Sequence, residues 1–330
     1  MASITPNSET FLWDTFFTAT RAKFLGRPKQ SVYREPSTYK WVKSLQGGSA
    51  SGTRGEFGVI LGSFAGSTKL PFGSLDTITV QDAEISTQGW VNTFTYADLC
   101  GISEQKMKAN EGKERKYNYV EGQLDQMIAG QKATMNTDAW ATSQDALAIT
   151  SLANGVSTTT TTTSFENLSR ATYSNWRQTN TDLSGAAFSA SGLNGFRTIY
   201  HTLSKIGNFG PPDVIFMSGA LHATYERITD AKEITQMADG GGKGKSPILS
   251  EALVFRTCEI IWEPTDYPDA TTCRFFNSST WHYENFQEML PGKARQPANG
   301  LWYAYPVVHS GRLICDGLRA NGLVSNFTNS

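Results

Sequence analysis

Ser218 and His222 lie four positions apart and are the pair in this chain that most resembles a catalytic site. A serine nucleophile needs a histidine base within hydrogen-bond reach, so a serine hydrolase is one hypothesis. No Gly-x-Ser-x-Gly sequence surrounds Ser218, however. Ser218 separates an apolar run from a helical pattern, where a serine is typical of a helix N-cap. The sequence therefore favours a capping role for Ser218.

The segment 239–246 (DGGGKGKS) resembles a phosphate-binding loop, in which backbone amides surround the phosphates of a nucleotide. Asp239 occupies the position of the motif's first glycine, and its carboxylate would repel a phosphate. No strand pattern leads into the segment, and Pro247 follows where a helix should continue. We therefore predict no nucleotide site here.

The other histidines and the cysteines lack the spacing of metal sites. No HxH, HxxxH or CxxC sequence occurs among His201, His282, His309, Cys100, Cys258, Cys273 and Cys315. We predict that the cysteines are buried thiols in a reducing compartment. No catalytic, cofactor-binding or metal-binding residue is predicted, and we expect the protein not to be an enzyme.

The 330-residue chain has a formal net charge of −1. We therefore expect no overall electrostatic attraction to nucleic acid or to a membrane. No apolar run approaches the ~18 residues that a membrane span needs, and we expect neither a membrane nor a signal segment. Aromatic residues make up 12% and charged residues only 18%, against roughly 25% charged residues on average. This balance is typical of a surface covered by partners, although an aromatic-rich monomer explains it equally well.

Positive charge is concentrated near the start of the chain. Between residues 21 and 43 only Glu35 opposes seven basic residues: Arg21, Lys23, Arg27, Lys29, Arg34, Lys40 and Lys43. Pro28 and Pro36 disfavour regular structure there. We predict either a solvated flexible arm or an arm that lies on an acidic neighbour or on nucleic acid.

Glycine and serine dominate residues 44–75, which cannot build much core by themselves. Two strand-like runs follow at 76–80 (DTITV) and 89–96 (GWVNTFTY). Together they predict a long hairpin that projects from the body. An ordinary surface hairpin is the alternative, but so long a glycine-rich segment is uncommon without a partner.

A long helix is predicted over 114–140, about 40 Å at roughly 1.5 Å per residue. Its apolar positions recur at helical spacing: Val120, Leu124, Met127, Ile128, Met135 and Ala139. Such a helix usually crosses a sheet, so the pattern favours a large α+β core.

The second half of the chain mixes short helical and strand patterns. Thr158–Thr163 predicts a linker or an exposed hairpin, and 175–182 predicts a loop. Helices are predicted at 193–206 and after Ser218. Strands are predicted at 214–217, 253–262, 272–277, 280–283, 312–315 and 322–324.

Three stretches carry a resemblance to a known family: PPDVIFMSGALHATYERI, SEALVFRTCEIIWEPTDYPDATTCRFFN and HSGRLICDGLRANGLV. In their order and spacing the chain resembles the major capsid proteins of tailed bacteriophages, which share the Hong Kong 97-type capsid fold. The resemblance extends over almost the whole chain and implies an α+β fold. The threonine run and the 239–246 segment are not part of the family's pattern.

The resemblance also implies a division of the chain. The implied parts are an N-terminal arm (1–43), an extended E-loop (44–95), a P domain with a spine helix at 114–140 (96–175), an A domain (176–300) and a C-terminal strand returning to the P domain (301–330). No Lys–Asn crosslink is assigned.

The implied function is self-assembly into the hexamers and pentamers of an icosahedral shell, made in the host cytoplasm, that encloses DNA in the virion. The implied partners are further copies of the chain, a separate scaffolding protein, a portal, possible decoration proteins and nonspecifically bound DNA. An encapsulin-type compartment is the alternative within this fold. A serine hydrolase and a docking module with a long arm are the alternatives outside it.

Overall fold

The computed structural model describes residues 36–49, 52–60, 86–103, 105–106, 119–159, 163–207, 209–237, 253–263, 267, 269–291 and 302–328. The basic residues from Arg21 to Arg34, the 76–80 run and the 239–246 segment lie outside the described residues. The chain divides into two compact units. The first comprises Met1–Pro36, Thr95–Thr134 and Gln287–Ser310, and the second comprises Ser37–Phe94, Met135–Phe286 and Gly311–Ser330.

The described helices in chain order are α1 Ser37–Ser44, α2 Tyr119–Ala139, α3 Leu152–Gly155, α4 Leu193–Leu203 and α5 Gly219–Met237. The described strands are β1 Gln46–Ser49, β2 Arg54–Ile60, β3 Ser86–Asn92, β4 Phe94–Ser103, β5 Ser164–Phe165, β6 Leu168–Ser169, β7 Thr179–Asp182, β8 Val214–Ser218, β9 Leu253–Phe255, β10 Cys258–Glu263, β11 Cys273–Phe276, β12 Trp281–Pro291, β13 Trp302–Cys315 and β14 Gly322–Ser325. None of the described helices combines the length and the apolar character that crossing a bilayer requires.

Helix α1 lies at the end of the segment predicted to be an irregular arm, so that prediction is wrong for Ser37–Ser44. Pro36 directly precedes the helix, where a proline without an amide hydrogen costs nothing. The indole of Trp41 is 6% exposed and lies 5.5 Å from the ring of Phe216 and 5.3 Å from that of Phe276. Aromatic burial therefore fixes α1 in the core of the second unit.

Helix α2 is described from Tyr119 to Ala139, within the predicted 114–140. Met135 and Ala139 of the predicted apolar stripe are buried. Two polar residues are buried as well. Within the first unit Gln131 Nε2 donates to Val307 O at 3.0 Å, and within the second Asn136 Nδ2 donates to Glu263 Oε1 at 3.2 Å. Hydrogen bonds therefore supplement a rather weak apolar face.

The second unit contains a six-stranded sheet of order β7-β14-β11-β8-β10-β9. Strand β8 pairs in parallel with β10 and antiparallel with β11. The prediction of a loop at 175–182 is wrong for β7, which pairs in parallel with β14 at the sheet edge. Helices α4 and α5 contribute Phe196, Leu203 and Leu221 to the apolar core that covers this sheet.

Asn321 directly precedes β14 and is fully buried, and Gly322, the first residue of the strand, is buried as well. Asn321 Oδ1 accepts hydrogen bonds from Asn277 N at 2.9 Å and from Trp281 Nε1 at 3.0 Å. A Cβ atom on Gly322 would come within 2.7 Å of Ile199 Cδ1. The Asn-Gly pair is thus explained by a buried polar hub beside a position that has no room for a side chain.

A second, four-stranded sheet has the order β1-β12-β13-β4. Strands β12 and β13 are longer than the predicted strands at 280–283 and 312–315. Directly after Thr163, β5 and β6 form a short antiparallel hairpin. The linker or exposed hairpin predicted at Thr158–Thr163 lies partly outside the described residues, because 160–162 are not described. The hairpin that follows the threonine run is not exposed as a whole, since Phe165 and Leu168 are buried.

Candidate assembly surface

Ser218 and His222 have different interaction partners in the structure. Ser218 Oγ accepts a hydrogen bond from Leu221 N at 3.4 Å, which confirms its predicted role as the cap of α5. His222 Nδ1 lies 3.5 Å from Glu226 Oε1, and burial lowers the pKa of His222 despite that carboxylate. No described contact joins Ser218 to His222, so the structure does not assemble the hydrolytic pair.

The cysteines are free thiols, and Cys258, Cys273 and Cys315 are buried as predicted, whereas Cys100 is half-buried. Burial raises the pKa of Cys258 to about 12, which keeps this thiol protonated and unreactive at neutral pH. Within the described ranges no three His, Cys, Asp or Glu side chains converge as metal ligands would.

The feature that stands out is a two-stranded ribbon formed by β2 and β3. The strands pair antiparallel from Arg54 opposite Asn92 to Ile60 opposite Ser86. A strand was predicted at 89–96, but its partner is β2, in the glycine-rich segment for which no strand was predicted. A ribbon of two strands is at best marginally stable on its own, so both its ends need contacts.

One end of the ribbon, which we call the root, is fixed to the second unit. Phe57 lies 6.1 Å from the buried ring of Trp176. Arg312 passes beside Gly55, whose absent Cβ would be 2.7 Å from Arg312 Nε. The same guanidinium pairs with Glu284. The Phe57–Trp176 ring contact and the close approach of Arg312 to Gly55 therefore fix the root to its own chain.

The other end of the ribbon, which we call the tip, presents an apolar side chain to solvent. Ile60 is 74% exposed, although Val59 beside it is buried. Burying an isoleucine side chain stabilises a contact by about 1.5–3 kcal/mol. The exposed side chain makes the tip suited to an apolar contact.

The first unit exposes apolar residues on two neighbouring strands. Leu99 on β4 is 68% exposed and Trp302 on β13 is 55% exposed. The Trp302 ring covers Gly101, whose Cβ would lie 3.6 Å from it. Large exposed apolar side chains in one sheet are typical of a protein contact.

Replacing Gly89 with alanine should loosen the root of the ribbon. The new Cβ would lie 2.5 Å from Phe57 Cζ, so the Phe57 ring must shift, which disturbs its packing against Trp176. We expect the free energy of unfolding to fall by about 1–3 kcal/mol, as for other overpacked sites. Gly58→Ala is the matched control, because nothing lies within 4 Å of its Cβ position in the same ribbon. Urea denaturation of both variants measures the difference, and equal losses would show that the Phe57 contact is unimportant.

The sequence matches no protein-family model and no curated protein. Solved structures are similar in fold. The Cyanophage A-1(L) capsid matches with a TM-score of 0.65 at 10% identity, covering 92% of this chain and 95% of that one. The phage G major capsid and decoration protein structure matches with a TM-score of 0.51 at 10% identity, covering 98% and 99%.

The holo-SrpI encapsulin complex from Synechococcus elongatus matches with a TM-score of 0.54 at 9% identity, covering 94% of this chain and 95% of that one. Identities this low establish fold alone. Each match extends over nearly the full length of both chains. The predicted architecture is confirmed: this chain has the α+β, Hong Kong 97-type capsid fold.

Proposed function

We propose that this protein is the major capsid protein of a tailed bacteriophage. It assembles with copies of itself into hexamers and pentamers of an icosahedral shell that encloses the DNA genome. The observation that carries the proposal is the match to the cyanophage capsid over 92% of this chain and 95% of that one. The exposed tip of the ribbon supports it, because a self-assembling subunit needs surface that only a neighbour buries.

The physical basis is burial between subunits. Ile60 at the tip, with Leu99 and Trp302 on the first unit, exposes apolar area that a single copy leaves in water. A two-stranded ribbon is only marginally stable by itself, so burial of its apolar side chains by a neighbour helps to offset the entropy lost on ordering it. Head-to-tail contacts between identical subunits close into rings when the rotation allows. We infer that neighbouring copies cover these residues.

The proposal assigns each part of the chain a role in the capsid subunit. Residues 1–43 form the arm, with α1 as its attachment to the body, and 44–95 form the extended loop that contains the ribbon. Residues 96–175 form the P domain around the long helix, and 176–300 form the A domain with most of the six-stranded sheet. Residues 301–330 supply the strand that returns to the P domain.

Further partners follow from the same proposal. A separate scaffolding protein directs assembly, a portal occupies one vertex, and decoration proteins are possible additions. The basic residues Arg21, Lys23, Arg27 and Lys29 contact packaged DNA without reading its sequence, so that contact weakens with salt. We expect neutralising these four residues to alter the yield of particles. An unchanged yield would show that these four residues do not contribute to assembly.

An encapsulin-type compartment is the second candidate, and the match to the holo-SrpI complex favours it. The two functions differ in what the particle contains. Particles from cells that carry the gene with its genomic neighbours should contain nuclease-protected DNA if the protein forms a phage capsid. A protein cargo in particles without DNA would support the compartment instead.

A further inference from the structure

Glu166 lies in a backbone conformation that L-amino acids rarely adopt. Its φ is +50° and that of Asn167 is +61°, so both central residues of the β5–β6 turn are left-handed. This geometry suits the twist of a two-residue hairpin, but asparagine and glycine are the usual residues there. A left-handed glutamate is strained and persists only where its surroundings enforce it.

Two different segments of the second unit bond to this residue. The backbone carbonyl of Glu166 accepts a hydrogen bond from Trp90 N, on β3 of the ribbon, at 3.2 Å. Its carboxyl Oε1 accepts one from Cys315 N, at the end of β13, at 2.8 Å. Glu166 therefore connects the root of the ribbon to the end of a long strand.

The hydrogen bond of the Trp90 amide to Glu166 is separate from the hydrogen bonds that join β2 and β3. Trp90 faces Glu56 in the ribbon register. Because backbone amides alternate in direction along an antiparallel strand, the Trp90 amide points away from β2 while those of Gly89 and Val91 point towards it. Losing the contact with Glu166 would expose the Trp90 amide and leave the ribbon ladder intact.

The carboxyl group is poorly placed to carry a charge. Glu166 Oε2 is buried and has no hydrogen-bond partner. The ionisable groups around it are Asp316 and the Cys315 thiol, with His282 Nε2 3.0 Å from Asp316 Oδ2. Arg170 does not compensate, since its guanidinium donates to backbone carbonyls and to Ser157. Burial, reinforced by Asp316, raises the pKa of Glu166 well above its usual value, and the Cys315 amide opposes this only partly.

We propose that Glu166 is a proton-controlled latch, which holds the root of the ribbon as a neutral acid and releases it when it ionises. In the released state the carboxyl is hydrated, so its pKa returns to the ordinary value of a glutamate. The state in which Glu166 holds the ribbon is therefore fully favoured below that ordinary pKa. This preference is lost as the pH rises towards the raised pKa of the buried carboxyl. The latch is a property of one subunit, so it does not depend on the proposed shell.

Single-residue amide hydrogen exchange on the unassembled full-length chain, from pH 5 to 9, tests the latch. Protection factors correct for the intrinsic pH dependence of exchange. We expect the protection of Trp90 to fall with pH by up to about tenfold per unit, the limit for one proton, while Gly89 and Val91 keep theirs. Glu166→Gln, which cannot ionise, should make Trp90 protection independent of pH. Glu56→Gln, the same change at an exposed site on the ribbon, should retain the wild-type profile.

Asp316→Asn provides a second variant, because it removes the neighbouring negative charge and should reduce the total loss of Trp90 protection. The proposal fails if wild-type protection at Trp90 does not change with pH, or if Glu166→Gln shows the same pH dependence as the wild type. It also fails if Glu166→Gln leaves Trp90 unprotected at every pH, since the carboxylate would then be the holding form. If Glu166→Gln does not fold, the wild-type and Asp316→Asn profiles still decide the question.

Discussion

Replacing Asn321 with alanine is expected to lower the free energy of unfolding of the subunit by about 3–5 kcal/mol. The side chain is fully buried, and its Oδ1 is the acceptor for Asn277 N and Trp281 Nε1. Its Nδ2 donates to Thr280 Oγ1 and Gly317 O, each at 3.1 Å. The variant leaves two buried donors without acceptors, at about 1–3 kcal/mol each, and a small cavity besides.

Urea denaturation of unassembled subunits measures this effect, because the midpoint shifts while the slope stays constant in a two-state transition. Asn194→Ala is the control. Asn194 is exposed on α4, and we expect its replacement to change stability by no more than about 0.5 kcal/mol. If the two variants lost equal stability, the hub at Asn321 would not be a principal support of the fold.

Replacing Ile60 with aspartate is expected to prevent or strongly weaken assembly without unfolding the subunit. Ile60 is 74% exposed, so the free energy of unfolding of the monomer should change by less than about 0.5 kcal/mol. Each subunit contact, however, should lose about 1.5–3 kcal/mol of apolar burial and gain the cost of burying a charge. Since about 1.4 kcal/mol is a factor of ten, each contact weakens at least tenfold, and a closed shell multiplies the loss over many contacts.

Sedimentation velocity of the variant over a range of concentrations measures the assembled fraction. Ile60→Val, which keeps an apolar side chain, should assemble like the wild type. Assembly of Ile60→Asp at wild-type concentration would show that the tip of the ribbon stays in solvent, and the contact between subunits would have to lie elsewhere.

Elements with local signals were predictable from the sequence. Helix α4 was predicted at 193–206 and ends at Leu203, shortly before Gly207, which adopts a φ of +56°. Strand β8 and the cap at Ser218 follow from an apolar run next to a helical pattern. In these segments the hydrophobic period and the turn chemistry agree, so neighbouring residues suffice to specify the structure.

Elements that depend on distant partners were not predictable. Strand β7 is polar (TNTD) and β2 contains two glycines, so neither resembles a strand by its own residues. Each is extended because its partner, β14 or β3, supplies hydrogen bonds. Tertiary pairing overrides weak local propensity in both segments.

The attachment of α1 shows the same limit over a longer distance. Glu263 accepts hydrogen bonds from Thr38 N at 3.3 Å and from Thr38 Oγ1 at 2.9 Å, although 225 positions separate the two residues. This buried carboxylate caps a helix that begins beyond a proline. A predicted arm becomes part of the core through that contact, which no local pattern reveals. The latch at Glu166 is similarly invisible, since it joins residues near positions 90, 166 and 315.

Sedimentation velocity of the purified wild-type chain, followed by negative-stain microscopy of the fastest fraction, tests the central claim most directly. The proposed function predicts that dilute subunits convert, as concentration rises or scaffolding protein is added, into ring-shaped capsomers and closed particles. A sedimentation coefficient of a single 36.2 kDa chain at every concentration, with and without that partner, would contradict it.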